Sequence, residues 1–183
     1  MGSMVYLSNG FDVTGIVSSI ARHPELWNEH TARTQDDFSP HSSLDDIWLR
    51  YNDFDNYNDD RESFNNEHDS VWYPSSDLIP VKQIVMQVMA MVGGERLGGV
   101  LITRIPPGGK CAPHVDGGWH AGYYEKFAIQ LEGTLDQAFH FEGESFSALP
   151  GDLYTFDNSK LHWVENNSDA NRMTMIICIK RSL

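Results

Sequence analysis

The sequence predicts a mainly β protein, a sandwich or barrel with N-terminal helices packed on one outer face. Three observations point there. From Leu97 onward, short runs rich in β-forming residues follow one another. Turn signals separate them: Pro106-Pro107-Gly108-Gly109, Glu132-Gly133, Pro150-Gly151 and Asn166-Asn167-Ser168-Asp169. Before Leu97, two apolar segments read as helices.

Asp12 to Leu26 is expected to be a helix, because Asp12 or Thr14 can cap it and Ile16, Val17 and Ile20 give part of an apolar stripe. Residues 28–40 are polar and loop-like. Asp46 to Tyr51 alternates and is rich in β formers, which predicts a strand. Asn52 to Asp69 is dense in Asn and Asp and too poor in apolar residues for a core element, so a long surface loop is expected. Pro80 suits the start of a helix over Val81 to Val92, which Gly93-Gly94 ends. The expected strands then run over residues 99–105, 125–131, 137–142, 144–149, 152–156, 162–165 and 171–180. In the second of these, Phe127, Ile129 and Leu131 point one way, and Lys126, Ala128 and Gln130 the other. The last is apolar on both faces after Arg172, which predicts burial on both sides.

With no internal repeat and no clear linker, one domain over residues 4–183 is expected. It comprises a helical and loop part over 4–96 and a β core over 97–183. Met1-Gly2-Ser3 reads as a cloning remnant and is set aside from the fold. No stretch reaches the roughly 20 apolar residues of a membrane span, since 79–92 is broken by Lys82, Gln83 and Gln87. No basic segment followed by an apolar one opens the chain, so no secretory signal is expected. Cys111 and Cys178 fit neither a disulfide framework nor a zinc spacing, and are read as free thiols in a reducing cytoplasm. The net charge of −13, with no clustered Lys/Arg run, disfavours a phosphate backbone as partner.

Chemistry concentrates in the β core. His114 and Asp116 flank one residue just after a Pro/Gly turn, and His162 opens a late strand. Two imidazoles and one carboxylate form the facial set of non-haem Fe(II) sites. Three protein ligands leave three octahedral positions, two for a bidentate cosubstrate and one for dioxygen. Arg172 follows His162 by ten residues. Its guanidinium can grip a carboxylate through two parallel hydrogen bonds. The turn over 166–169 is expected to bring Arg172 onto the strand beside His162. His120, on an expected loop, is read as a neighbour of the site that contacts substrate and not as a ligand. His140, between Phe139 and Phe141, is expected to face the barrel interior as a substrate-pocket residue.

These residues carry a family resemblance. The stretch His162-Trp163-Val164-Glu165-Asn166-Asn167-Ser168-Asp169-Ala170-Asn171-Arg172 resembles the aspartyl/asparaginyl β-hydroxylase-like branch of the 2-oxoglutarate/Fe(II)-dependent dioxygenases. Pro150 to Asn158 resembles the strand before that branch's distal His. The resemblance is strong over about residues 97–180. It implies a double-stranded β-helix (a jelly roll, cupin-like) and Fe(II) and 2-oxoglutarate as cofactors. It further implies dioxygen-dependent hydroxylation of an amino-acid side chain in a protein, peptide or free amino acid. It also implies that Lys126 lies near 2-oxoglutarate, and that Arg33, His41 and the strand through Arg50 shape the substrate pocket. Asp116 completes a triad that some members of this branch lack. Two other readings share the ligands: a cupin-type metal-binding module or isomerase without oxygen chemistry, and an oxygenase of nucleic-acid bases, against which the acidic charge speaks.

Overall fold

A computed structural model describes residues 2–56 and 66–182. Two antiparallel sheets face each other. The larger has seven strands in the order β1 (Met4–Ser8), β9 (Leu153–Phe156), β6 (Glu125–Glu132), β11 (Arg172–Arg181), β4 (Gly94–Ile105), β2 (Asp45–Asn52) and β3 (Ser70–Trp72). The smaller has four: β5 (Lys110–His114), β10 (His162–Asn166), β7 (Gln137–Phe141) and β8 (Glu144–Phe146). This is the expected mainly β jelly roll.

The larger sheet uses its two faces differently. On β11, Met173, Met175, Ile177 and Ile179 turn outward, while Arg172, Thr174, Ile176 and Cys178 turn toward the smaller sheet. The outer face is covered by α1 (Thr14–Arg22) and α3 (Lys82–Val92). Ile16 and Ile20 from α1, and Ile84, Val85, Val88 and Met89 from α3, pack on Ile47, Leu49, Val100, Ile102, Phe127, Ile129 and Leu131. Each fully buried aliphatic side chain here contributes roughly 1.5–3 kcal/mol. The inward and outward sets expected for residues 126–131 are those observed.

Several boundaries differ from expectation, each for a physical reason. The first helix stops at Arg22, and Pro24 converts the rest into a 3-10 turn over Pro24–Leu26. A four-residue helix, α2 (Ser75–Leu78), precedes α3. Gly93 ends α3 in the left-handed conformation, φ 68°, but the strand begins at once, at Gly94. The part over 4–96 is not only helix and loop, because β1, β2 and β3 are members of the larger sheet. Ser3, set aside at first, is buried: its N–H donates to Glu144 Oε1 (2.9 Å) and its carbonyl accepts from Asp157 N (2.8 Å). Of the expected loop over 52–69, residues 57–65 lie outside the described residues. Phe54–Asn56 forms a 3-10 turn, and Phe54 packs with His30, Trp48 and Tyr73.

One correction bears on the site. Arg172 does not lie on the strand beside His162. β10 pairs with β5 and β7, whereas β11 pairs with β4 and β6, so residues 167–171 carry the chain from one sheet to the other. Asn166 fixes this crossing. Fully buried, its side-chain amide donates to Ile105 O (2.9 Å), Pro106 O (3.0 Å) and Ala170 O (2.8 Å), and its Oδ1 accepts from Ser168 Oγ (2.8 Å). Removing that amide takes a donor from three carbonyl oxygens, although Pro106 O keeps Gly109 N (2.9 Å) and Ala170 O keeps Gln137 Nε2 (3.2 Å). Asn166→Ala is expected to lower unfolding free energy by about 2–4 kcal/mol in a denaturant titration, and a loss under about 0.5 kcal/mol would exclude this role.

Candidate metal centre

Between the two sheets lies a cavity of about 230 Å³. The smaller sheet offers His114 from the end of β5 and His162 from the start of β10, residues directly opposite in register. Their rings are 4.3 Å apart between centroids. Asp116 follows β5 and turns back so that its Oδ1 lies 3.4 Å from His114 Nε2. One nitrogen from each imidazole and one oxygen from Asp116 all lie within 4.8 Å of one another.

The backbone sets both tautomers. His114 Nδ1 lies 2.8 Å from Ala112 O, and His162 Nδ1 lies 2.8 Å from Lys160 O. A carbonyl can only accept, so each Nδ1 carries a proton and Nε2 is the nitrogen left to face a metal. Asp116 Oδ2 accepts from Asn158 Nδ2 (3.3 Å) and is 3.9 Å from Lys126 Nζ. Burial alone would raise the Asp116 carboxyl, but His114 and Lys126 hold it well below the usual carboxylate range. Burial opposes charge on His114, yet Asp116 and Cys111 push it up to about 10. Unassisted by a cation, the two share a proton as an imidazolium–carboxylate pair, and a divalent cation satisfies the same carboxylate in that proton's stead.

The opposite wall carries the cations. Arg172 is 4% exposed. Its guanidinium donates to Thr174 Oγ1 (2.8 Å) and Tyr154 OH (3.3 Å), and Thr174 Oγ1 in turn donates to Gln130 Oε1 (3.2 Å). Among the described residues, no carboxylate pairs with Arg172. Lys126 and Arg33 also line the cavity, but each has an acid: Asp116 for Lys126, and Asp46, at 2.5 and 2.9 Å, for Arg33. Thr103 Oγ1, also in this wall, is buried without a hydrogen-bond partner among the described residues.

The remaining expected residues divide. His41 lines the cavity, its ring edge-on to His114 at 4.7 Å. Burial, with Arg33 and His114 nearby, lowers it to about 2, so it stays neutral. His120 is not on a loop: it is buried in α4 (Gly118–Tyr123) and lines the cavity, where Gly99 N donates to its Nε2 (3.3 Å). Burial and Lys126 lower it to about 3. Arg50 is outside the cavity lining, stacked over Trp72 at 5.2 Å. His140 also faces away. Phe139 and Phe141 are the inward residues of β7, and His140 stacks on Trp163 at 5.1 Å beside Glu165. The strand alternates in the opposite phase to that expected, because burying two aromatic rings inward outweighs burying one imidazole.

Asn158, Tyr154, Thr174 and Thr103 were not singled out from the sequence. Thr174 was within reach, being two residues along a strand from Arg172 and hence on its face. Asn158 had no such signal, since only the fold brings its turn to Asp116. Near the cavity's rim the β4 backbone is bare. A Cβ on Gly98 would come within 2.8 Å of the Tyr124 ring, and one on Gly99 within 2.9 Å of Tyr51.

A jelly roll with two histidines and one aspartate converging between its sheets defines a metal-site protein of the oxygenase type. The comparisons make the class specific. The model of the aspartyl/asparaginyl beta-hydroxylase family matches residues 74–182. This chain belongs to that family, and is an enzyme of the dioxygenase class. No curated protein matches it. Among solved structures, an oxidoreductase of the 2OG-Fe(II) oxygenase family from Burkholderia pseudomallei is similar over 98% of this chain and 86% of its own, at 16% identity and TM-score 0.64. The viral collagen prolyl hydroxylase of Paramecium bursaria Chlorella virus-1, solved with 2OG, is similar over 100% and 97%, at 8% identity and TM-score 0.58. At these identities the likeness is one of fold.

Two substitutions test the centre. His162→Ala is expected to abolish stoichiometric binding of a divalent metal by the folded protein. Asn158→Ala, which frees one oxygen of Asp116, is expected to weaken metal binding by about 10–100-fold in calorimetric titration. Unchanged affinity in Asn158→Ala would remove that residue from the centre.

Proposed function

We propose that this protein uses Fe(II), 2-oxoglutarate and dioxygen to hydroxylate an amino-acid side chain in a protein, peptide or free amino acid. The observation that carries this reading is Arg172. A buried guanidinium without a carboxylate is costly, and such residues are rare unless paired or liganded. Its neighbours Thr174 and Tyr154 are hydroxyls, which orient the guanidinium without neutralising it. A dicarboxylic acid in the cavity would supply the missing charge, with one end on Arg172 and the other near His114, Asp116 and His162. Bound there, the iron would supply the activation of dioxygen and of the 2-oxo acid.

The chain's own residues do the rest. His114 and His162 present fixed Nε2 lone pairs. Lys126 and Asn158 hold Asp116 as a carboxylate. Leu44, Phe139, Phe156 and Val164 line the cavity with apolar surface and limit water, which strengthens every charge–charge contact inside. His41 and His120, both neutral, and Arg33, already engaged by Asp46, offer the substrate polar contacts without another free charge. Two buried free cysteines are in keeping with a reducing, cytoplasmic setting.

Anaerobic titration of the Fe(II)-loaded protein with 2-oxoglutarate tests the reading. The weak visible band of the iron–oxo-acid chelate is expected in the native protein and is expected to be lost in His162→Ala. In Arg172→Ala, half-saturation is expected to need about 10–100-fold more 2-oxoglutarate, the equivalent of about 1.5–3 kcal/mol for a hydrogen-bonded charge. No band in native protein with confirmed iron would overturn the proposal.

A further inference from the structure

The metal site leaves two buried thiols unused, and one of them, Cys178, faces an amine. Cys178 on β11 and Lys126 on β6 are directly opposite in register, and both side chains turn into the cavity. Lys126 Nζ lies 3.5 Å from Cys178 Sγ. Cross-strand partners cannot drift apart while the ladder holds, so the contact is fixed by the backbone. The same Nζ is 3.9 Å from Asp116 Oδ2, so this amine stands between a thiol and a metal ligand. Cys111 has no such partner. It sits on the smaller sheet, 3.9 Å from His114 Nδ1.

We propose that Lys126 and Cys178 form an oxidative cross-link, a sulfur–nitrogen bond made when a peroxide enters the cavity. In the first step the Cys178 sulfur attacks one oxygen of hydrogen peroxide. The O–O bond breaks, water leaves, and the sulfur, oxidised by two electrons, carries hydroxyl as a sulfenic acid. In the second, the Lys126 ammonium first gives one proton to solvent, and the amine so freed attacks that sulfur. The S–O bond breaks, and the hydroxyl leaves as water with a second proton from the nitrogen. Sulfenic acids condense in this way with a thiol or a nitrogen nucleophile held beside them. Here the nitrogen nucleophile beside the sulfur is the Lys126 amine, 3.5 Å away. The link converts an ammonium into a neutral nitrogen and draws it toward β11, away from Asp116. Cross-linking therefore takes from the metal centre the cation that holds its carboxylate, and a thiol reductant restores it.

The experiment is peroxide treatment of the native protein, thiol blocking under denaturing conditions, and peptide mapping by mass spectrometry. It needs neither iron nor 2-oxoglutarate, so it stands apart from the proposed activity. The expected product is a peptide containing Lys126 joined to one containing Cys178, two hydrogens lighter than their sum, with loss of one titratable thiol. Dithiothreitol should return both peptides. In Lys126→Arg, peroxide should leave Cys178 carrying oxygen and unlinked. Recovery of Cys178 in the native protein as a free thiol, as an oxygenated thiol only, or joined to Cys111 would overturn the proposal.

Discussion

The crossing from His162 to Arg172 is the constraint on which the site depends. Ten residues take the chain off the smaller sheet and onto the larger, so that a metal ligand and a guanidinium close in sequence face each other across a gap. The turn is held from inside by Asn166, whose one side chain donates to the carbonyls of two segments. Its neighbour in this work is Gln137, whose amide donates to Ser168 Oγ and to Ala170 O. Buried amides suit such a position because they supply donors and acceptors at once without a charge.

With that geometry set, electrostatics decides what the cavity can hold. Three cationic side chains line it, Arg33, Lys126 and Arg172, against two carboxylates, Asp46 and Asp116. Asp116 is also the one anionic member of the ligand set, so a divalent metal there adds further positive charge. The excess is positive on both walls, which makes a small dianion the natural complement. Neutral His41 and His120 add polarity without adding to that excess, and their neutrality follows from burial among these same cations.

The sequence carried the periodic and local features well and the relational ones poorly. His114, Asp116 and His162 were legible because ligand identity and spacing are local, and the inward face of residues 126–131 because alternation is. Arg172 was legible as a buried charge, but not its sheet: a turn can return a strand to its neighbour or send it across, and the choice rests on tertiary hydrogen bonds. His140 failed because Phe139 and Phe141 obey the same period in either phase. Arg50 failed because β2 shifts register between Trp48 and Arg50, which turns the residues beyond the irregularity. β1 was missed since its five residues alternate weakly and are stabilised by pairing with β9, some 150 positions away.

The bare backbone at Gly99 has an evolutionary consequence. Tyr51 and His120, both lining the cavity, lie directly against Gly99, so the bore there is set by what that residue lacks. Most ways of narrowing an enzyme's range require a new group in a new place. Here a single methyl at Gly99 would push the Tyr51 ring, a cavity wall, without touching a ligand, a charge or the anchor at Arg172. Selection acting on the choice of substrate thus has a handle separate from the chemistry, and relatives could diverge in what they accept while keeping the same catalytic residues.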